Sequence, residues 1–392
     1  MIPRVKVNYS LLSLIAALKA AVCGIDAKKN LIDGLRSLFG FSCILLTPSG
    51  RAGLYFILRA LDKSRVLVPA YTCKAVVEAA LLAGKEVVYI KSEDDGFNMD
   101  SEDIAAHVDN DSVVVATHQF GIPCKISRIV DIARSCGAFV IEDAAASFGT
   151  RIDGRLTGTF ADAAFFSFDS TKTIHVPLKG GFVMTNRNDL YERIVQIYRD
   201  EILAMPVSVG VKYFLSGLAY LMLENQLLYK VFHLLNFQIR GRFTADSPDI
   251  DLKLSAFYRF DMSQWQAYLA WQQISNLHSI VKARKEQYAD YRHRLKGCQS
   301  LLLPPEDSRC EWVCTRFPVR VRNDKMEFYM RSVRHGVDMA FSFTFIVAPE
   351  DFLYEHHVAR QVLDLPYYFK LKLSEMDEVI RVCRLVDSER EK

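Results

Sequence analysis

The chain has 392 residues, half of them apolar and 24% charged, enough to bury a large core in two domains or in one large domain with an appendage. A net charge of +3 is small for that size and calls for neither nucleic acid nor an acidic polymer as partner. Nine cysteines, an odd number without paired metal-ligand spacing, read as free thiols of a reducing compartment. Cys310 and Cys314 lack the second pair or His cluster that would complete a zinc site.

At the N-terminus, Arg4 and Lys6 precede an apolar run. Lys19 interrupts it, and Leu11, Leu12, Ile15, Leu18 and Val22 recur at helical spacing, which predicts an amphipathic helix rather than a signal peptide. No segment reaches the roughly 18 uncharged apolar residues of a membrane span, so a cytoplasmic location is expected. From about residue 40 to 190, short apolar runs alternate with helical stretches. Ile44–Leu46 leads to the helix Arg51–Leu61, and Val66–Val68 to the helix Ala75–Ala83. Val87–Ile90 follows, then Val113–Val115, the helix Ile126–Cys136, and Phe139–Ile141. This alternation predicts an α/β fold with right-handed crossovers and a mainly parallel sheet.

Ligands of such sheets bind at the carboxyl ends of the strands. Ser49-Gly50, Tyr71-Thr72, His118, Asp143 and Lys172 all fall there, which predicts one active site. Lys172 ends the hydroxyl-rich run Ser167-Phe168-Asp169-Ser170-Thr171, where a lysine can hold an aldehyde cofactor as an imine. Asp143 ends a buried strand, where a carboxylate can keep a pyridine nitrogen protonated. Pyridoxal 5'-phosphate (PLP) chemistry needs both groups, because the cofactor must be tethered and kept cationic to act as an electron sink.

Residues 207–240 are rich in Leu, Tyr and Phe but broken by Lys212, Glu224, Asn225, Gln226, Lys230 and His233. Two readings stand: a helix pair packed on the body or across a subunit interface, or an element lying on a membrane surface with Lys230, Arg240 and Arg242 toward the headgroups. Residues 263–296 read as one or two long amphipathic helices carrying Trp265, Leu269, Ile274, Leu277 and Ile280. The remainder, with Thr315–Val321, Val337–Phe341 and a closing helix Ser374–Val386, reads as a smaller α+β unit. The expected organisation is an N-terminal helix or arm over 1–30, a large α/β domain over 31–270 with the insertion 207–240, and a small C-terminal domain over 271–392.

A family resemblance rests on an ordered set of landmarks: Pro48–Ala52, Val68–Thr72, His118–Gly121, Glu142–Ala145, Phe166–Phe168, Thr171-Lys172, Gly180-Gly181, Met262–Ala267 and Leu365-Pro366. In that order they resemble the DegT/DnrJ/EryC1/StrS sugar aminotransferases, from about residue 45 to 386. The resemblance implies the PLP-dependent transferase fold type I, like that of aspartate aminotransferase. Its central, mainly parallel sheet would be sandwiched by helices beside a smaller C-terminal α+β domain. It implies that Lys172 tethers PLP and carries the proton between the amino-donor carbon and the cofactor, and that Asp143 pairs with the pyridine nitrogen. Ser49, Gly50, Arg51 and Ala52 correspond to the phosphate-binding turn, with Arg51 where the family usually has Thr. Ser167 corresponds to a serine that contacts the phosphate.

Four positions depart from the family pattern. Cys73 stands where an aromatic ring usually stacks on the cofactor, so Tyr71 or His118 would supply the ring. Ala146 replaces a Gln or His that reaches the cofactor's phenolic oxygen, and Lys179 lies where Gly-Glu is favoured. Arg259-Phe260-Asp261 replaces Asn-Tyr-Arg, which makes Arg259 a candidate for the neighbouring subunit's phosphate or substrate. The implied activity is transfer of an amino group, with L-glutamate as donor, to a nucleotide-linked keto-sugar in amino-sugar or polysaccharide biosynthesis. A homodimer with shared active sites would perform it. A PLP-dependent sugar dehydratase and a non-catalytic PLP- or sugar-binding relative are the alternatives.

Overall fold

Residues 1–239, 249–306 and 309–388 are described by a computed structural model; Arg240 and Arg242 lie outside them. Short runs of β-branched and aromatic residues form β1 (Cys43–Thr47), β2 (Arg65–Pro69), β3 (Glu86–Ile90), β4 (Ser112–Thr117) and β5 (Phe139–Asp143). A small hairpin, β6 (Arg151–Ile152) and β7 (Arg155–Leu156), precedes β8 (Ala163–Ser167) and β9 (Gly181–Thr185). The central sheet has the order β1-β9-β8-β5-β4-β2-β3. Only β9 runs against its neighbours β1 and β8; the β2–β3, β2–β4, β4–β5 and β5–β8 pairs are parallel.

Both faces of the sheet carry helices and only the edge strand β3 is partly exposed along most of its length, which explains why the strands read as continuous apolar runs. The helices of the first half are α1 (Leu11–Val22), α2 (Ala27–Phe39), α3 (Gly50–Ala60), α4 (Lys74–Leu82), α5 (Ser101–His107), α6 (Ile126–Ser135) and α7 (Asn188–Glu201). Val66, Val68, Val113, Val115 and Ile141 face α3, α4 and α7, whereas Leu67, Val114, Ala116 and Val140 face α5 and α6. The insertion folds as α8 (Val207–Met222), α9 (Gln226–His233) and a π-helical turn, Leu234–Ile239. The short α10 (Ala256–Arg259) leads to α11 (Gln264–Ser275) and α12 (Leu277–Leu295); α11 packs on α2 and α1.

A second antiparallel sheet joins β10 (Leu301–Leu302), β12 (Phe317–Val321) and β13 (Val362–Leu365), while β11 (Cys310–Glu311) pairs with β6. Helices α13 (Lys325–Arg334), α14 (Leu353–Gln361) and α15 (Leu373–Ser388) complete this half. Val337–Phe341 supplies only isolated bridges, Val337 with Ile2 and Ala340 with Asp364. One expectation is inverted. Helix α1 forms, but its leucine stripe faces outward, and Leu14, Ala17 and Ala20 are the buried residues. No single described helix is long and apolar enough to cross a membrane.

Candidate active site

The carboxyl edge of the central sheet opens into a cavity of about 520 Å³, closed by the N-terminal segment and by the loops of the second sheet. Asp143, the last residue of β5, lines it and is 7% exposed. Its Oδ1 accepts the Ala145 N–H at 3.0 Å, and its Oδ2 lies 3.5 Å from the Thr117 hydroxyl. Burial raises its pKa, against the pull of the Lys172 charge. Lys172 lines the same cavity, half-buried. Burial lowers its pKa; Asp143 and Asp169 oppose that effect and Arg316 adds to it. A half-buried amine that gives up its proton readily is the form that attacks a carbonyl carbon.

Several contacts fix the loop that carries Lys172. Asp169 accepts the Thr171 N–H at 3.1 Å and forms an ion pair with Lys179. Burial would raise the Asp169 pKa, but Lys179 and Lys172 outweigh it and hold the carboxylate well below its usual range. His175 Nδ1 donates to the Lys172 carbonyl at 2.8 Å, while Nε2 accepts the Asn8 N–H at 2.8 Å. Burial lowers the His175 pKa to about 4, so the ring is neutral in both contacts. From α11, Gln273 accepts the His175 N–H and donates to the His175 carbonyl. Gln266 donates to the Pro177 and Lys179 carbonyls at 3.2 and 3.0 Å. That explains the landmark Met262–Ala267: it caps α11 and splints the lysine loop.

Ser49 caps α3, accepting the Ala52 N–H and donating to the Phe257 carbonyl at 2.7 Å. Gly50 and Arg51, which open this helix and whose N–H groups have no intrahelical acceptor, line the cavity; helix starts of this kind bind phosphate. A Cβ on Gly50 would lie 2.9 Å from Ser167 Cβ, so glycine lets α3 approach β8 and brings Ser167 beside the same turn. Arg51 reaches Glu78 at 3.4 Å and stacks over Phe257. Cys73 and Ala146 line the cavity.

Three other expected residues land differently. Tyr71 is buried with its ring against Phe97, Phe120 and Phe343, and it does not line the cavity. His118 lines it, but Nδ1 accepts the Cys124 N–H and Nε2 meets Glu142 at 2.8 Å, so only its ring face is available. Arg259 is exposed on α10, outside the cavity lining.

The second sheet contributes what the sequence reading missed. Arg316 enters the cavity from just before β12, bonded to Asp364 at 2.9 Å, to the Ser342 hydroxyl at 2.5 Å and to the Thr171 hydroxyl at 3.5 Å. No spacing links residues 171, 316, 342 and 364; only the tertiary fold joins them.

Such a buried-edge lysine and carboxylate beside a phosphate-type helix start are the parts that the family resemblance requires. Residues 29–384 match the DegT/DnrJ/EryC1/StrS aminotransferase family, and the chain belongs to it. GDP-perosamine synthase of Escherichia coli O157:H7 is 36% identical over 149 residues, which are 37% of this chain and 41% of that protein. The UDP-N-acetyl-3-dehydro-alpha-D-glucosamine 3-aminotransferase of Acidithiobacillus ferrooxidans is 32% identical over 45% of this chain and 46% of its own length. These matches therefore span less than half of each relative. The ntda protein of Bacillus subtilis, solved with bound cofactor PMP, shares the fold: TM-score 0.73 at 19% identity, over 99% of this chain and 84% of that one.

Proposed function

We propose that this protein is a PLP-dependent aminotransferase that moves an amino group from L-glutamate to a nucleotide-linked keto-sugar. The observation that carries the reading is the meeting of Lys172, Asp143 and the α3 start in one cavity. The residues fit the cofactor. Asp143 has lone pairs left for a pyridinium N–H, Lys172 can reach an aldehyde carbon, and the Gly50 and Arg51 amides with Ser167 can hold the phosphate. When bound, PLP supplies an electron sink for the carbon that exchanges the amino group.

Lys172, whose proton burial makes easier to lose, would be the group that accepts and returns the proton of the donor's α-carbon once the cofactor is bound. Asp143 keeps the pyridine nitrogen protonated. Arg316 offers its guanidinium to an anionic substrate group opposite Lys172, with Asp364 and Ser342 fixing its orientation. Nucleotide-sugar amination as the reaction is supported by the two curated relatives and by family membership. In a homodimer with shared sites, which family membership makes the expected assembly, the exposed Arg259 of α10 would serve the neighbouring subunit. The test is to load the protein with PLP, add L-glutamate alone and quantify 2-oxoglutarate. One equivalent per site supports the reading; none contradicts it.

A further inference from the structure

Helix α1 presents Leu14, Ala17 and Ala20 to the core and turns its leucine stripe outward, with Leu12 77% and Val22 87% exposed. Helix α8 repeats the pattern. Tyr213 and Gly217 are buried, Gly217 against Pro177, whereas Val207, Val211, Leu215 and Met222 are exposed, Val207 to 84%. The two helices touch. In α9, Tyr229 bonds to Asp338 and His233 to Tyr329 on the inner side, while Leu227, Leu228 and Val231 point outward. All three helices thus turn exposed apolar residues to the outside, which makes this part of the surface a candidate for docking.

Charge decides the partner. Helices α1, α8 and α9 contain no Asp or Glu, and Lys19, Lys212 and Lys230 are exposed among the apolar residues. Glu224, at the bend between α8 and α9, is turned to Lys370 and the Val7 N–H. A two-fold contact with a second copy would set lysines against lysines on this face, with no carboxylate from these helices to answer them. An anionic lipid surface answers both features: the leucines enter the headgroup–acyl boundary, and the lysines meet phosphates. We propose that α1, α8 and α9 form a monotopic face that lies on an anionic bilayer. The 110° bend between α8 and the helical segment that begins at Gln226 suits elements lying in the plane of the surface. The lining of the Lys172 cavity draws on none of these three helices, so membrane binding and amino transfer are separable.

The experiment is flotation of the full-length, PLP-loaded protein with phosphatidylcholine vesicles and with vesicles of equal parts phosphatidylcholine and phosphatidylglycerol. The protein should float with the anionic vesicles and bind neutral ones on the order of a hundredfold less, the contribution of three lysines at such a surface. Leu12→Gln combined with Leu215→Gln should abolish flotation. Lys19→Glu combined with Lys212→Glu should abolish only the preference for anionic vesicles. Both variants should keep wild-type conversion of the cofactor by glutamate, which shows that they are folded. Failure of the wild type to float on the anionic vesicles overturns the proposal. So does a glutamine variant that floats as before, or one that turns a dimer into a monomer, because a second copy would then own the face.

Discussion

At the scale of residues, Asp143 at the end of β5 and Lys172 on its loop meet in one cavity, and the chemistry proposed for them rests on that meeting. Asp143→Asn should retain PLP but lose turnover by about a hundred- to a thousandfold, the usual loss when a preorganised charge is removed from the reacting group. Steady-state kinetics with cofactor occupancy measured in parallel checks it. Arg316 was illegible, because its partners Ser342 and Asp364 arrive from other segments. Arg316→Gln should weaken a carboxylate- or phosphate-bearing substrate about tenfold or more, seen in KM rather than in cofactor binding. His175 gives a pH signature. Folded, it stays neutral down to about pH 4, whereas unfolded it takes a proton near its ordinary value of 6.5. The unfolded state therefore binds the extra proton between those values, and stability falls as the pH drops from 6.5 toward 4. The unfolding free energy from urea titration should fall further between pH 7 and pH 4.5 for the wild type than for His175→Gln, by about 2 kcal/mol.

At the scale of elements, five strands of the central sheet were readable because helices on both faces leave no polar alternation to confuse the pattern. The hairpin of β6 and β7 was not, since two-residue strands carry no period. For α1 the period revealed a stripe but not which way it points, and the stripe points outward. Glycine positions show how closely the elements approach. Gly121, just after β4, has φ +94°, and a Cβ there would lie 2.3 Å from the Ala146 carbonyl oxygen and 2.7 Å from Cys314 Cα. Gly121→Ala should destabilise by on the order of 2 kcal/mol, measured by denaturant midpoint; an unchanged midpoint would contradict this packing.

At the scale of the whole molecule, one buried carboxylate ties three segments together. Asp338, in the C-terminal half, accepts from Arg4 Nε at 2.6 Å, from Tyr229 at 2.5 Å and from Tyr329 at 2.9 Å. Burial alone would raise its pKa; Arg4 and the surrounding donors lower it instead. Asp338→Ala would remove a buried carboxylate partner from Arg4, Tyr229 and Tyr329 and should cost about 3–5 kcal/mol. It should also expose the N-terminal segment and α9 to limited proteolysis. The sequence placed these segments in the N-terminal arm 1–30, the insertion 207–240 of the large domain 31–270, and the small domain 271–392. We propose the same large and small units with the boundary at the α11–α12 junction, because α11 runs unbroken through residue 270. The anchor at Asp338 could not be foreseen, because Arg4 lies 334 residues and Tyr229 109 residues away from it along the chain.

The central claim is that Lys172 is the group that holds PLP and carries the proton. The most direct measurement is the visible absorption spectrum of wild type and Lys172→Ala, each with PLP, before and after excess L-glutamate. Wild type should show the long-wavelength band of lysine-bound cofactor and lose it on adding glutamate. Lys172→Ala should show the spectrum of unattached PLP and no catalytic conversion. An identical, glutamate-responsive band in Lys172→Ala would contradict the account.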